Sequence, residues 1–118
     1  MFERRLGPRI DVHGRVIVEL DSFPGQLTLL NISPGGFGLT TTDLISAELP
    51  LDFRFGTTDN RWTMTFAARL AHIRPEYREG VRDAYVAGFS FIDAERPDVA
   101  ARVEKLMELV AAVQSGMP

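Results

Sequence analysis

A chain of 118 residues, 45% of them hydrophobic and 25% charged, is long enough for one folded domain and far from the composition of disordered proteins. Its net charge of -3 argues against broad, non-specific nucleic-acid binding, and the absence of cysteine excludes disulfides and thiolate zinc sites. The first residues lack the apolar run of a secretory signal, and no segment approaches the roughly 18 apolar residues of a membrane span, so we expect a cytoplasmic protein without membrane insertion.

Alternating apolar and polar residues predict three strands in the first third of the chain. The first strand is expected over residues 12–20, followed by a turn at residues 21–25, where Pro and Gly interrupt the alternation. The second strand covers about residues 26–32. A break at Pro34-Gly35-Gly36 separates it from a third strand at residues 37–41.

Three further strands are predicted in the middle of the chain. Alternation over residues 49–55 indicates the fourth strand, and the fifth carries apolar residues on one face from residue 62 to 70. The apolar phase then shifts at Ala71, which indicates a bulge. A charged loop over residues 75–83 leads to the last strand, residues 84–92, whose two faces are both apolar.

The C-terminal segment is predicted to be a helix. Pro97 suits the first helical position, and apolar residues recur at helical spacing from Val99 to Val113. Such a stripe must be buried, and the last strand needs a cover for its outer face. We therefore expect a helix over residues 97–114 to pack against the strands.

Together these elements predict an all-β fold, a six-stranded antiparallel β-barrel with a C-terminal α-helix packed against it, because closure removes exposed sheet edges. The whole chain, residues 1–118, is expected to be a single domain. Residues 1–9 are expected to form a flexible, arginine-bearing arm, and residues 10–93 are expected to form the barrel. A start at Met1, so close to the arginines, is typical of a natural single-domain product.

No pattern of catalytic or metal-binding residues stands out. His13 and His72 lie far apart in strand patterns without closely spaced ligand partners, so both are interpreted as ordinary strand residues. Ser33 lacks a nucleophile-elbow context, and no acidic pair is placed for hydrolysis. We expect no catalysis, no cofactor and no metal. Four aromatic residues are interpreted as barrel core rather than as a base-stacking platform: Phe53, Phe55, Trp62 and Phe66.

Two short stretches carry the functional signal. Arg5 and Arg9 form the pattern Arg-x-x-x-Arg, and residues 31–36 form Asn-x-Ser-x-x-Gly. Because alternate side chains of a strand share a face, Asn31 and Ser33 are expected to point the same way. The two stretches resemble the paired signature of the PilZ family, whose typical members bind the bacterial second messenger cyclic di-GMP.

The resemblance implies a binding site for that ligand. Each guanine offers the acceptors O6 and N7, which the guanidinium fork of arginine meets with two hydrogen bonds, and arginine also binds phosphate. A cation at Arg4 implies an intercalated pair of cyclic di-GMP molecules, hence two ligands per protomer. Asparagine stands where many members have aspartate, so we expect binding to survive but to be weaker. The expected ligand-binding residues are Arg4, Arg5, Arg9, Asn31, Ser33, Gly35 and Gly36.

The predicted function is a cyclic di-GMP receptor that signals by ligand-induced ordering of its N-terminal arm, with an unidentified downstream protein as partner. We expect a monomer or a weak homodimer. The alternative is a protein-interaction adaptor of the PilZ fold, as in type IV pilus assembly, that does not bind nucleotide. A small barrel that binds single-stranded nucleic acid is disfavoured by the net charge and by the lack of exposed alternating aromatics.

Overall fold

The computed structural model describes residues 9–21, 23, 25–46 and 49–115. Their seven strands form one antiparallel sheet with the order β1-β3-β4-β7-β6-β5-β2. The sheet curls around the core as a half-barrel, so the prediction of six strands and a closed barrel is corrected in both respects. The elements are β1 (Ile10–Asp11), β2 (Val16–Leu20), β3 (Leu27–Ser33), β4 (Gly36–Thr41), β5 (Leu51–Thr57), β6 (Thr63–Arg78), β7 (Val81–Phe91) and α1 (Pro97–Gln114).

The segment predicted as one first strand, residues 12–20, contains only β2 as a strand, and its first residues continue from β1 at the opposite edge of the sheet. The N–H of Val12 still bonds to β3 at 2.8 Å, whereas β2 pairs with β5. Between them the N–H of Arg15 donates to the carbonyl of His13 at 3.0 Å, across Gly14 with a φ of 84°. The single-strand prediction is wrong because this tight turn, which glycine adopts readily, changes the partner strand.

The charged segment predicted as a loop, residues 75–83, is mostly part of a long hairpin of β6 and β7. Pairing continues to Arg78 opposite Val81, and the two residues between them, Glu79 and Gly80, have φ values of 52° and 81°. Two positive φ angles in a two-residue connection match the twist of a hairpin. The loop prediction is wrong because both faces of this extension are exposed, so no apolar alternation marks it.

The bulge predicted in β6 is confirmed. The register between β6 and β7 shifts between Leu70 and His72, which leaves Ala71 as the extra residue. Leu70 lies opposite Phe89, whose ring is buried, whereas His72 lies opposite Gly88 and is exposed. The bulge therefore places His72 on the outer face of the sheet.

Phenylalanine rings fill the concave side of the sheet. The ring of Phe37 lies 5.1 Å from that of Phe53, 5.0 Å from that of Phe55 and 5.3 Å from that of Phe89, between centroids. Such offset and edge-to-face contacts add to the free energy gained from burial. The core prediction is confirmed, since Phe53, Phe55 and Phe66 are buried and Trp62 packs against them.

Helix α1 begins at Pro97, as the sequence predicts, and completes the core. Its buried residues, Val103, Leu106 and Val110, belong to the same cluster as the phenylalanines. Arg102 fixes the helix further, because its guanidinium lies 4.5 Å from the ring centroid of Phe66 and donates to a β6 carbonyl at 2.7 Å. Within the described ranges, no helix combines the length and the apolarity needed to cross a membrane.

Candidate functional site

The short strand β1 brings the end of the arginine segment to β3. Ile10 lies opposite Ile32 and Asp11 opposite Asn31 in an antiparallel register. Arg9 directly precedes Ile10, so the same register carries it to Ser33. The structure thus brings together one arginine and the Asn-x-Ser stretch, which are separated by more than twenty residues in the sequence. Arg4 and Arg5 lie outside the described residues.

A row of four residues runs across the outer face of the sheet. Asn31 lies opposite Gly38, Gly38 opposite Gly88, and Gly88 opposite His72. With strands spaced about 4.8 Å apart, the row is about 14 Å long. The two glycines form a shallow floor at the centre of the row, and the polar side chains of Asn31 and His72 lie at its two ends.

The side chain of Asn31 rests on the backbone of Gly38. A Cβ added to Gly38 would lie 3.1 Å from Oδ1 and 3.2 Å from Nδ2 of Asn31, closer than ordinary van der Waals contact. Among the described residues, no side chain or backbone group forms a hydrogen bond with this amide. Its donors and acceptor are therefore available to a ligand.

The two glycines at the hairpin turn between β3 and β4 have different roles. A Cβ on Gly36 would collide with the backbone carbonyl oxygen of Phe89 on β7, whereas a Cβ on Gly35 would meet nothing within 4 Å. Gly35 also lacks a left-handed φ. Close packing of β4 against β7 thus requires Gly36 whether or not a ligand approaches it. The Ser33 hydroxyl makes one long hydrogen bond, 3.4 Å, to the Gly36 carbonyl.

These elements border a groove with a volume of about 600 Å³, within the usual range for small-molecule sites. On one side lie Asn31, Ser33, Gly35 and Gly36, which we call the motif wall, and Arg9 lines the groove as well. Among the described residues that line the groove there is no carboxylate, although the chain as a whole carries a net charge of -3. The groove is therefore suited to an anionic ligand with polar edges.

Sequence reasoning missed the opposite side of the groove, which we call the far wall. It consists of His72 and Arg74 on β6. His72 was interpreted as an ordinary strand residue, and Arg74 drew no attention. The bulge at Ala71 is the one sequence signal for this wall, because it turns His72 and Arg74 to the outer face while Ile73 packs against the core.

Two pKa shifts among the described residues concern groups outside the groove. A hydrogen bond from Thr57 lowers the pKa of Asp59, and a hydrogen bond to Glu19 raises the pKa of Arg54. All of these charged groups are exposed, so their ion pairs contribute little to stability. The described residues contain no cluster of three or more His, Asp or Glu side chains placed to hold a metal ion.

The family model for the PilZ domain matches residues 3–111. The solved PilZ domain of YcgR from Escherichia coli with c-di-GMP is similar in structure, with a TM-score of 0.64, 19% identity, and coverage of 97% of this chain and 98% of that one. An uncharacterised Legionella protein has a TM-score of 0.62 and 12% identity, covering 92% and 99%. No curated protein sequence matches. The two structures show the fold alone, whereas the family model covers most of the chain, so this protein belongs to the PilZ domain family.

Proposed function

We propose that the protein is a receptor for cyclic di-GMP and that the ligand binds in the groove. The observation that carries this proposal is the convergence of Arg9, Asn31 and Ser33 on one groove whose described lining contains no carboxylate. Membership of the PilZ family supports the same ligand, as does the structural similarity to a PilZ domain solved with c-di-GMP. A receptor of this kind acts by binding and has no catalytic step.

The chemistry of the ligand matches the groups that meet here. Cyclic di-GMP presents two guanine edges and two phosphates. Arg9 offers a fork for guanine O6 and N7 or for phosphate oxygens, while the Asn31 amide offers a donor and an acceptor to a base edge. The Ser33 hydroxyl adds a further donor, since its single protein hydrogen bond is long.

We further propose that Arg4 and Arg5 complete the site from the preceding segment. In this proposal Arg5 forms the second arginine clamp, and Arg4 stacks on a second, intercalated ligand molecule. Ordering the arm, residues 1–9, over the ligand costs about 1–2 kcal/mol for each residue fixed, which the new contacts must offset. The resulting surface of protein and nucleotide is then recognised by a downstream protein.

Calorimetric titration with cyclic di-GMP tests the proposal, with GTP, cyclic GMP and an oligonucleotide as control ligands. We expect saturable binding of cyclic di-GMP alone. Arg9→Ala and Arg5→Ala should each weaken it at least tenfold, or about 1.4 kcal/mol. Arg15→Ala is the matched control, because Arg15 is an exposed arginine outside the groove and should leave the affinity unchanged.

Wild-type affinity in both groove variants would sink the assignment, and failure of the wild type to bind would favour the nucleotide-independent adaptor. The same titration gives the stoichiometry, for which we expect two ligands per protomer in the wild type and one in Arg4→Ala. Amide hydrogen exchange tests the ordering step. Exchange in residues 2–9 should slow when ligand is added, and unchanged exchange at saturation would refute the ordering mechanism.

A further inference from the structure

The far wall of the groove has a composition that the paired motif does not explain. His72 and Arg74 lie on β6, two strands away from β4, and both border the same cavity as Asn31 and Ser33. Both side chains are exposed. The far wall differs chemically from the motif wall and lies at the other end of the 14 Å row. Its function therefore needs a separate explanation.

The absence of a side chain at Gly88 makes room for the imidazole of His72. A Cβ on Gly88 would collide with Nε2 and Cε1 of the ring, so the ring lies directly over the glycine backbone. Glycine at position 88 therefore allows the flat imidazole ring to lie against the sheet. The ring remains exposed on its outer side, where it can stack on a planar base.

Arg74 is placed to attract an anion. Two other exposed arginines of the sheet pair with carboxylates, Arg54 with Glu19 at 2.7 Å and Arg78 with Asp83 at 3.6 Å. No described carboxylate lies within 4.0 Å of the Arg74 guanidinium, and no described carboxylate lines the groove beside it. A cation in such surroundings forms charge-assisted hydrogen bonds with phosphate.

We propose that His72 and Arg74 form a second subsite, in which the imidazole stacks on a purine base and the guanidinium binds a phosphate. This inference rests on the proposed function, because the ligand it concerns is cyclic di-GMP. The motif wall with Arg9 supplies one cation and one set of base-reading groups, and the far wall supplies another cation and a stacking surface. A ligand with two guanines and two phosphates can engage both.

Titration of four single variants tests the subsite. Arg74→Ala should weaken cyclic di-GMP binding about tenfold, as expected for loss of one charge-assisted contact, and should reduce the dependence of affinity on ionic strength. Arg78→Ala is the matched control on the same strand, outside the groove, and should bind like the wild type. His72→Ala should weaken binding about fivefold, whereas His72→Phe keeps a flat ring and should stay within about twofold.

The NMR signals of the two histidines provide a second measurement. If His72 had only a structural role, its signal would not change when ligand is added. The chain contains two, His13 and His72, and His13 lies in the turn after β1 and does not line the groove. In a carbon-proton NMR spectrum we expect the imidazole signal of His72 to shift when cyclic di-GMP is added and that of His13 to stay.

The outcomes separate this inference from the proposed function. If Arg9→Ala loses affinity while the variants of the far wall bind like the wild type and the His72 signal does not move, the subsite is refuted and the receptor stands. If the wild type does not bind cyclic di-GMP, the receptor and the subsite are both refuted. Thermal melts of each variant confirm that these exposed substitutions leave the fold intact.

Discussion

The two walls of the groove are built differently. The motif wall lies at a tight turn between two strands, carries neutral amide and hydroxyl groups, and takes its cation from the start of β1. The far wall lies on a long hairpin, directly after the bulge at Ala71, and carries an aromatic ring and a cation of its own. The groove therefore has two halves joined by a glycine floor, and in the proposed site each half combines one arginine with groups suited to a base.

The glycines of the site show the same division. Gly36, at the motif wall, is required by the backbone of a neighbouring strand, whereas Gly88, beside the far wall, makes room for a side chain. A backbone carbonyl cannot move without disturbing the sheet, but an imidazole can rotate away. Substitutions at the two positions should therefore affect different properties, stability at one and ligand affinity at the other.

The largest expected effect is that of Gly36→Ala. Because its methyl group would collide with the Phe89 carbonyl, we expect a loss of about 1–3 kcal/mol or more in the free energy of unfolding, measured by urea denaturation. Gly35→Ala is the matched control and should change stability by less than about 0.5 kcal/mol. Equal stability of the two variants would contradict the close approach of β4 and β7.

Next in size is the effect of Asn31 on affinity. Asn31→Ala should weaken cyclic di-GMP binding about tenfold in a calorimetric titration, because a base edge loses its donor and acceptor. Asn31→Asp should bind at least as tightly as the wild type, since a carboxylate accepts from both N–H groups of a guanine edge. Thr28→Ala, on the same strand but outside the groove, serves as the control. An Asn31→Ala variant that binds cyclic di-GMP more tightly than the wild type would contradict the proposed role of the motif wall in ligand binding.

Gly88→Ala should have a smaller effect, and mainly on affinity. The methyl group displaces the His72 ring, so we expect a few-fold weaker binding and a stability cost below about 1 kcal/mol. The same substitution in a His72→Ala background should have no further effect on affinity, because no ring is left to displace. A large stability loss in the single variant would show that the ring cannot move.

The smallest expected quantity is the coupling between the walls. In a double-mutant cycle of Asn31→Ala and His72→Ala, the losses of binding free energy should add within about 0.5 kcal/mol, because the two residues lie at opposite ends of the row. Calorimetric affinities of the four proteins give the coupling. A value above about 1 kcal/mol would mean that the two walls contact the same part of the ligand.

Much of the fold and one half of the site could be predicted from the sequence. The resemblance to the PilZ family is confirmed. The bulge at Ala71 follows from the shift in apolar phase, and the start of the helix follows from the preference of proline for the first helical position. The motif wall could be predicted because its residues lie in one short stretch of sequence, in which strand alternation alone puts Asn31 and Ser33 on one face. The contribution of Arg4 and Arg5 stays a prediction, since they lie outside the described residues.

The rest depends on which strands meet and in what register. Val12, Gly14 and Val16 continue an alternating pattern, so nothing local reveals that the chain changes partner at Gly14. The far wall is hidden for the same reason. That His72 lies on Gly88 follows from a pairing between strands and from a one-residue shift, neither of which is written in local periodicity.

The free edge of β6 has a consequence for the behaviour of the protein in solution. Among the described strands, β6 pairs only with β7 beyond Ala68, and an unpaired edge is a template for aggregation. Pro75 removes one backbone donor, and Arg69, Arg74, Glu76 and Arg78 place charged side chains along this edge, which disfavours pairing with another strand. We therefore expect Arg74, which lines the groove, also to disfavour pairing of this edge with another strand. Arg74→Lys keeps the protecting charge and removes the guanidinium fork, and so separates colloidal stability from ligand recognition.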